Sequence, residues 1–374
     1  MKKEQAPILV EVPGDRWSQG TRSWLAARAI DRVVVFEVAL TTTFRGVRAR
    51  QGILLHGPAG WGECAPFEEY GPAESALWLQ SAVEAAGEGI DLPAARPSVP
   101  VNVTIPVVSP DDAAARAHLA GCRTAKVKVA DPRSSLRDDW ERIRAVSEAL
   151  AGDFGAEARV RIDVNGKWDR EEALAAIARL GEAAAPVGGL EYVEQPCMGV
   201  EDLAWVRRRV KVPIAADESI RRADDPFRVI ELEAADLAIV KVAPLGGVRR
   251  ALELASQLPI PVVVSSAVDT SIGLSAGVAL AAALPELPYA CGLDTQRLLV
   301  EDTAGPLLSR DGFLRVSQAR AVAAGELLFG ESRESNPPNG DGRAIVRHLS
   351  SELVDVWTNR VEDMVAARWS EEMP

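Results

Sequence analysis

Lys126 and Lys128 stand two apart in TAKVKVA (124–130). On an extended chain that spacing puts both ammonium groups on one face and leaves Val127 and Val129 on the other. Further charged residues end apolar runs downstream: Asp163 in RIDVNG with Asn165 two beyond it, Glu194 in EYVEQP, Asp217 in ADES and Lys241 in DLAIVKVAP. Three carboxylates from successive runs make an oxygen-rich, hard-ligand set that suits Mg²⁺, with Mn²⁺ as the alternative, and leaves positions for water and substrate oxygens. Zinc is disfavoured, because the three histidines, His56, His118 and His348, do not end a run beside a ligand-like neighbour. A lysine beside another cation and facing a divalent metal has its charged form disfavoured, so it can act as a general base near neutral pH. A lone acid at such a position is commonly a helix cap, and Glu218 and Asp224 are assigned that work.

Such a constellation needs a scaffold that brings the ends of several runs together. Between about residues 100 and 295 strand-like runs alternate with helical patterns: 101–106, 124–130, 158–166, 189–196, 212–219, 236–244, 261–268 and 288–295. In SPDDAAARAHLAG, Ser109 can cap, Pro110 fits the first helical position, Asp111 and Asp112 favour the first turn and Gly121 ends the helix. The next helix has an apolar stripe of Trp140, Ile143, Val146 and Leu150. Eight short runs with seven helices between them read as a parallel (β/α) barrel, with an open doubly wound sheet as the alternative. Strands in such sheets are covered on both faces, so a charge there costs several kcal/mol unless partners or solvent at the barrel mouth relieve it. The lysines and acids therefore face one another at the C-terminal mouth, where barrel enzymes carry their active sites.

Composition bounds the partners. The 374 residues are 47% hydrophobic and carry a formal net charge of -12, which gives no basic footprint for nucleic acid or an anionic membrane and leaves a small molecule as the expected partner. Cys64, Cys122, Cys197 and Cys291 are isolated, as expected for core residues in a reducing cytoplasm. The start MKKEQAP lacks an apolar signal core and no apolar run reaches membrane-spanning length, so a soluble, cytoplasmic protein is expected. Oligomeric state is not legible.

The two-lysine strand, the acids Asp163, Glu194 and Asp217 and the lysine Lys241 resemble the enolase superfamily, in the subgroup of muconate-lactonizing enzymes, over roughly residues 31–325. TTTFRG, GWGECAPFEEY, RIDVNG, EYVEQP, ADES and VVVSSAVDTSIGL are similar to the o-succinylbenzoate synthases of actinobacterial type. The resemblance implies a modified (β/α)7β barrel of the TIM type under an α+β capping domain. It divides the chain into an N-terminal extension (1–30), the first part of the cap (31–98), the barrel (99–295), a returning cap segment (296–330), a linker (331–342) and a C-terminal helical extension (343–374). The residues agree where they speak: 32–40 and 52–64 have strand character, and 74–86 reads as a helix. GPAGWGE (57–63) reads as a turn between cap strands, with no task assigned to Glu63. Ile345, Leu349, Leu353 and Trp357 form a helical stripe expected to pack on the chain's own barrel or on a partner.

The same resemblance implies dehydration of a succinylated hydroxycyclohexadiene carboxylate to o-succinylbenzoate, a step of menaquinone biosynthesis. Asp163, Glu194 and Asp217 would hold the metal, Lys128 would take the proton, Lys126 would tune Lys128 and approach the carboxylate, and Lys241 would stabilise negative charge from the other face. Arg45, Ser265 and Ser266 are candidates for the succinyl tail or substrate carboxylate, and Asn165 for ordering the metal's surroundings; purely structural roles stand beside each. Lysines on opposite faces also suit an N-succinylamino acid racemase, a dipeptide epimerase or a cycloisomerase. A Schiff-base aldolase and a non-catalytic binding protein are the alternatives from other classes.

Overall fold

In the computed structural model the described residues are 7–222, 226–328 and 342–370, the side chains of 342–350 excepted. The expected cap at Asp224, the 331–341 part of the linker, and the side chains of Ile345, His348 and Leu349 lie outside them. Strand β1 (Ile8–Glu11), helix α1 (Gln19–Ala27), strands β2 (Arg32–Phe44), β3 (Val47–Gly57) and β4 (Gly60–Cys64) and helix α2 (Pro72–Gly87) come first. The strands form one antiparallel sheet in sequence order, because β2, β3 and β4 are joined by tight turns and β1 adds to the free edge of β2. GPAGWGE is thus a turn followed by a strand. Gly62 lets that strand lie directly on α2, since a Cβ there would stand 2.0 Å from the carbonyl oxygen of Ala82.

After β5 (Ser98–Pro100) the alternation read from the sequence begins. Strands β6 (Val103–Ile105), β7 (Thr124–Lys128), β8 (Arg159–Asp163), β9 (Leu190–Glu194), β10 (Ile214–Ala216), β11 (Leu237–Val240) and β12 (Val262–Val264) pair in parallel in that order. Between them run α3 (Pro110–Ala120), α4 (Leu136–Phe154), α5 (Arg170–Ala183), α6 (Val200–Arg207), the short α7 (Glu218–Arg221) and α8 (Arg228–Glu231), and α9 (Val248–Gln257). α10 (Ser271–Ala283) follows β12. The eighth run closes the ring through single parallel bridges, Ser265 with Gly292 on one side and Val101 with Cys291 on the other. Local chemistry starts the helices as expected: the Ser109 hydroxyl accepts from the Asp112 amide, Pro110 is the first helical residue, and Gly121 ends α3 at a φ of 65°. Ile105, Val127, Ile162 and Val240 are fully buried in the layer between strands and helices, whereas the opposite face carries Lys126 and Lys128 and, level with Lys126, the buried Arg161, which donates to the Tyr192 hydroxyl at 2.9 Å and to Asn102 Oδ1 at 3.2 Å.

Residues 299–300 return to the antiparallel sheet, where the Val300 amide donates to Ala39 at 2.8 Å, and β13 (Phe313–Arg315) pairs with β5 before α11 (Val316–Ala323). The last helix, α12 (Gly342–Trp369), corrects the expectation for the C-terminal stripe. Leu353, Trp357, Val361 and Met364 pack with Trp17, Trp24, Val35, Trp78 and Leu79, so this face meets the N-terminal extension and the antiparallel unit rather than the barrel wall. Glu362 ties the two ends of the chain, accepting from the Ser18 hydroxyl at 2.7 Å and the Thr21 hydroxyl at 2.5 Å.

Glu63 joins the sheet to the barrel. Its buried carboxylate accepts from the amides of Thr270 and Gly273 at 3.1 and 2.9 Å and from the Thr270 hydroxyl at 2.6 Å, and so caps α10 from another element. Burial, with Asp269 alongside, pushes it from an ordinary 4.5 up to about 7. The folded chain then holds a proton that the unfolded chain releases. Stability from this group is complete below about pH 4.5 and is lost as pH rises toward 7. Glu63→Gln cannot ionise, so its denaturant-derived stability should vary by roughly 2 kcal/mol less than the parent's across that window. Equal pH slopes in the two proteins would remove Glu63 as the cause.

Candidate active site

Register builds the site. Lys128 pairs with Asp163 and Asp163 with Glu194, so three adjacent strands end at one level, and Ala215, paired with Glu194, sets Asp217 just beyond. Asp163, Glu194 and Asp217 are at most 1% exposed. After Asp163 the chain turns through Asn165 in the left-handed region, at a φ of 54°, which asparagine tolerates better than most residues.

Each carboxylate is engaged by an ammonium group. Lys126 Nζ lies 3.1 Å from both oxygens of Glu194 and 3.4 Å from Asp163. Lys128 donates to Asp163 and, at 2.9 Å, to Asn165 Oδ1. Lys241 donates to Asp217 at 2.5 Å, and Arg221 holds the other oxygen of Asp217 at 3.0 Å. Among the described residues no three acidic, imidazole or thiol groups are spaced ready for a metal ion. The donor chemistry nonetheless fits a hard divalent cation: three buried carboxylates from consecutive strands, with the buried Glu218 Oε2 lacking a hydrogen-bond partner in the same network.

The fields are unequal. Burial lowers Lys128, aided by the neighbouring Lys126 ammonium and opposed by Asp163, and the net direction is below the usual lysine range. Burial also acts against Lys126, but Glu194 and Asp163 outweigh it and hold Lys126 charged. Glu194 is pushed up to about 7 by burial and then by Asp163, with Lys126 opposing. Two lysines on one strand face thus have opposite tendencies, which is the arrangement expected of a proton-transfer group beside a fixed cation.

A cavity opens above these groups, lined by Lys126, Lys128, Asp163, Asn165 and Lys241 below and by Arg45, Phe44, Phe67, Ser265 and Ser266 around it. Of the catalytic, metal and substrate-binding candidates read from the sequence, all line it except Glu194 and Asp217, which bond to lysines that do. An adjoining hollow shares Phe44, Arg45, Lys128 and Asn165 and extends to Lys167. Arg45 pairs with Glu69 at 3.3 Å and lies 4.7 Å over the Phe67 ring. Ser265 and Ser266 also have structural partners, the Gly292 carbonyl at 3.4 Å and the Thr295 hydroxyl at 2.5 Å.

Three features escaped the sequence. Glu218 is not a helix cap: it is the first residue of α7, buried, accepting from Arg221 at 2.7 Å and from Asn165 at 3.2 Å. Arg221, four residues after Asp217 and three after Glu218, had a readable signal in that helical spacing. The aromatic walls Phe44 and Phe67 had none, because they come from the antiparallel unit, Phe44 from the end of β2 and Phe67 from the loop after β4. His56 and His118 pair with Asp31 and Asp153 at 2.7 and 2.8 Å, away from the cavity, as expected of packing and surface histidines. All four cysteines are buried and free, and among the described residues no helix is long and apolar enough to cross a membrane.

A barrel whose strand ends carry this lysine and carboxylate set under an antiparallel unit defines a class: the chain belongs to the enolase superfamily. Residues 35–86 match the enolase N-terminal domain-like model and residues 110–320 the enolase C-terminal domain-like model. Among its relatives is a protein of Thermobifida fusca named o-succinylbenzoate synthase, 56% identical over 282 residues, covering 75% of this chain and 86% of that one. A protein of the same name from Mycolicibacterium smegmatis is 50% identical over 292 residues, covering 78% and 87%. The L-Ala-D/L-Glu epimerase of Bacillus subtilis, solved in a substrate-liganded complex, shares the fold with a TM-score of 0.63 at 23% identity, over 76% of this chain and 96% of that chain. Enzymes of this superfamily generally depend on a divalent metal.

Proposed function

We propose that the protein dehydrates 2-succinyl-6-hydroxy-2,4-cyclohexadiene-1-carboxylate to 2-succinylbenzoate, the o-succinylbenzoate synthase step of menaquinone biosynthesis. The observation that carries this choice among related reactions is the 56% identity, over most of both chains, to a protein of that name. The cavity supplies matching chemistry. Lys128, the lysine held below its usual range, takes the proton next to the substrate carboxylate and, once charged, returns it to the departing hydroxyl, so that water leaves and the ring becomes aromatic. Lys126 stays charged against Glu194 and keeps Lys128 from holding its proton tightly. Lys241 remains a fixed cation on the other side. Asp163, Glu194 and Asp217 would hold the divalent ion, Mg²⁺ with Mn²⁺ as the alternative, which when bound supplies positive charge to the substrate carboxylate as negative charge develops there. Arg45, Ser265, Ser266 and Asn165 are positioned to hydrogen-bond the succinyl tail and carboxylates, with Phe44 and Phe67 excluding water.

On this reading residues 31–98 and 296–330 cap the barrel of 99–295, and the segments 1–30 and 343–374 are additions. The free thiols suit a cytoplasmic enzyme. With Mg²⁺ the purified protein should abolish the diene absorbance of the substrate well above its spontaneous decay. Lys128 and Lys241 both face the cavity and so also suit racemisation, which requires each to exchange a proton. N-succinylamino acids in deuterated water therefore form the parallel assay. Efficient racemisation with the diene acid left to its spontaneous decay would replace the synthase reading.

A further inference from the structure

Helix α12 lies outside both regions matched by the family models, yet one of its side chains bonds to the backbone of Phe67, whose ring lines the cavity. We propose that Arg360 is a positioning residue that braces the Pro66–Tyr70 segment and thereby fixes the substrate-facing wall of the active site, so that the C-terminal addition tunes substrate affinity.

The guanidinium of Arg360 donates to the carbonyl oxygens of Pro66 and Phe67 at 3.1 and 2.6 Å. It lies 4.9 Å from the centre of the Trp357 ring, and Trp357, 2% exposed, is embedded with Met364 and Trp78 in the core beneath α12. The guanidinium of a rotamer-rich side chain is thus held at once by the Trp357 ring and by two backbone acceptors. The segment it grips has three connections to the active site. Phe67 lines the cavity and underlies Arg45, Glu69 pairs with Arg45 at 3.3 Å, and the Tyr70 hydroxyl accepts from Arg221 at 2.6 Å, which holds Asp217. Arg50, 4.1 Å from the Phe67 ring centre, donates to the Val268 carbonyl at 3.1 Å and ties the same wall to the end of the seventh barrel strand. Secondary structure does not fix this wall, because residues 65–71 belong to no helix or strand. External bracing is then what holds Phe67 and Glu69 in register with Arg45.

The affinity part of this proposal rests on the dehydration reading, so the test pairs a catalytic with a non-catalytic measurement in the full-length chain. Arg360→Ala should raise KM for the diene acid about fivefold or more while changing kcat by less than about twofold, since it loosens binding contacts without touching the reacting groups. Arg360→Lys, which keeps a donor for one carbonyl, should recover part of that loss. Amide hydrogen exchange should speed up at residues 67–70 in Arg360→Ala and stay as in the parent within α12. Unchanged exchange at 67–70 overturns the brace, whatever the substrate proves to be. Faster exchange with an unchanged KM overturns its role in affinity. Faster exchange throughout α12, with kcat and KM impaired together, shows a merely structural arginine and also overturns the proposal. A parent protein inert toward the diene acid would instead sink the dehydration reading, and the exchange comparison would still decide the brace.

Discussion

Lys128→Ala should lower turnover of the diene acid at least ~100-fold, the usual scale for removing a general base, while the fold and metal affinity stay near those of the parent. The side chain is 13% exposed and points into the cavity, whereas Val127 and Val129 on the same strand carry the packing, so truncation removes chemistry rather than core. Asp163 keeps Lys126 at 3.4 Å, which limits the charge left unpaired. Lys128→Arg makes the argument sharper. Arginine keeps the positive charge but does not release a proton at accessible pH, so it should be as inactive as alanine if Lys128 is the base. Lys241→Arg should retain measurable dehydration, because a fixed cation is all that position supplies, yet it should abolish any racemisation. Steady-state kinetics on the three variants, alongside calorimetric metal titration, gives the comparison. An active Lys128→Ala enzyme ends the assignment, and a Lys241→Arg enzyme as dead as Lys128→Arg moves the mechanism toward two-base chemistry.

How much of this was legible depends on the range of the interactions. The lysine pair and the strand-end acids were readable because a period of two and the polarity of a parallel strand are local properties, and Asp163, Glu194 and Asp217 do end consecutive strands. Helix α3 was readable for the same reason, its start and stop being written in Ser109, Pro110 and Gly121. The eighth barrel run kept its place but closes the ring with bridges at Cys291 and Gly292 rather than a full strand. Glu218 misled because an acid at the start of a helix normally caps it, and only the folded chain shows Arg221 and Asn165 drawing the carboxylate into the site. Glu63, Phe67 and Arg360 act across 207 residues to Thr270, across the boundary between sheet and barrel, and across 293 residues to Phe67 respectively. No periodicity encodes such contacts. The stripe ending in Leu353 and Trp357 announced a buried face without stating what would cover it.

Asp217→Asn should weaken binding of Mg²⁺ or Mn²⁺ by about tenfold or more in calorimetric titration, since even residues that only orient a metal's ligands commonly cost that much. Electrostatics points the same way. The buried network sets Asp163, Glu194, Asp217 and Glu218 against Lys126, Lys128, Lys241 and Arg221, a formal balance of charge. Asparagine preserves shape and an acceptor oxygen but leaves Lys241, previously 2.5 Å from one carboxylate oxygen, without its anion and Arg221, previously 3.0 Å from the other, with Glu218 alone. The surplus positive charge both repels a divalent cation and destabilises the fold, by roughly 3 kcal/mol on the scale of a broken buried pair. A double variant separates the two effects. Lys241→Met in the Asp217→Asn background removes the surplus charge, so stability should recover in denaturant titration; metal affinity should stay low if Asp217 donates an oxygen to the ion. Recovery of both would make Asp217 an electrostatic partner of Lys241 only, and an Asp217→Asn protein with parental affinity would take the residue out of the metal site.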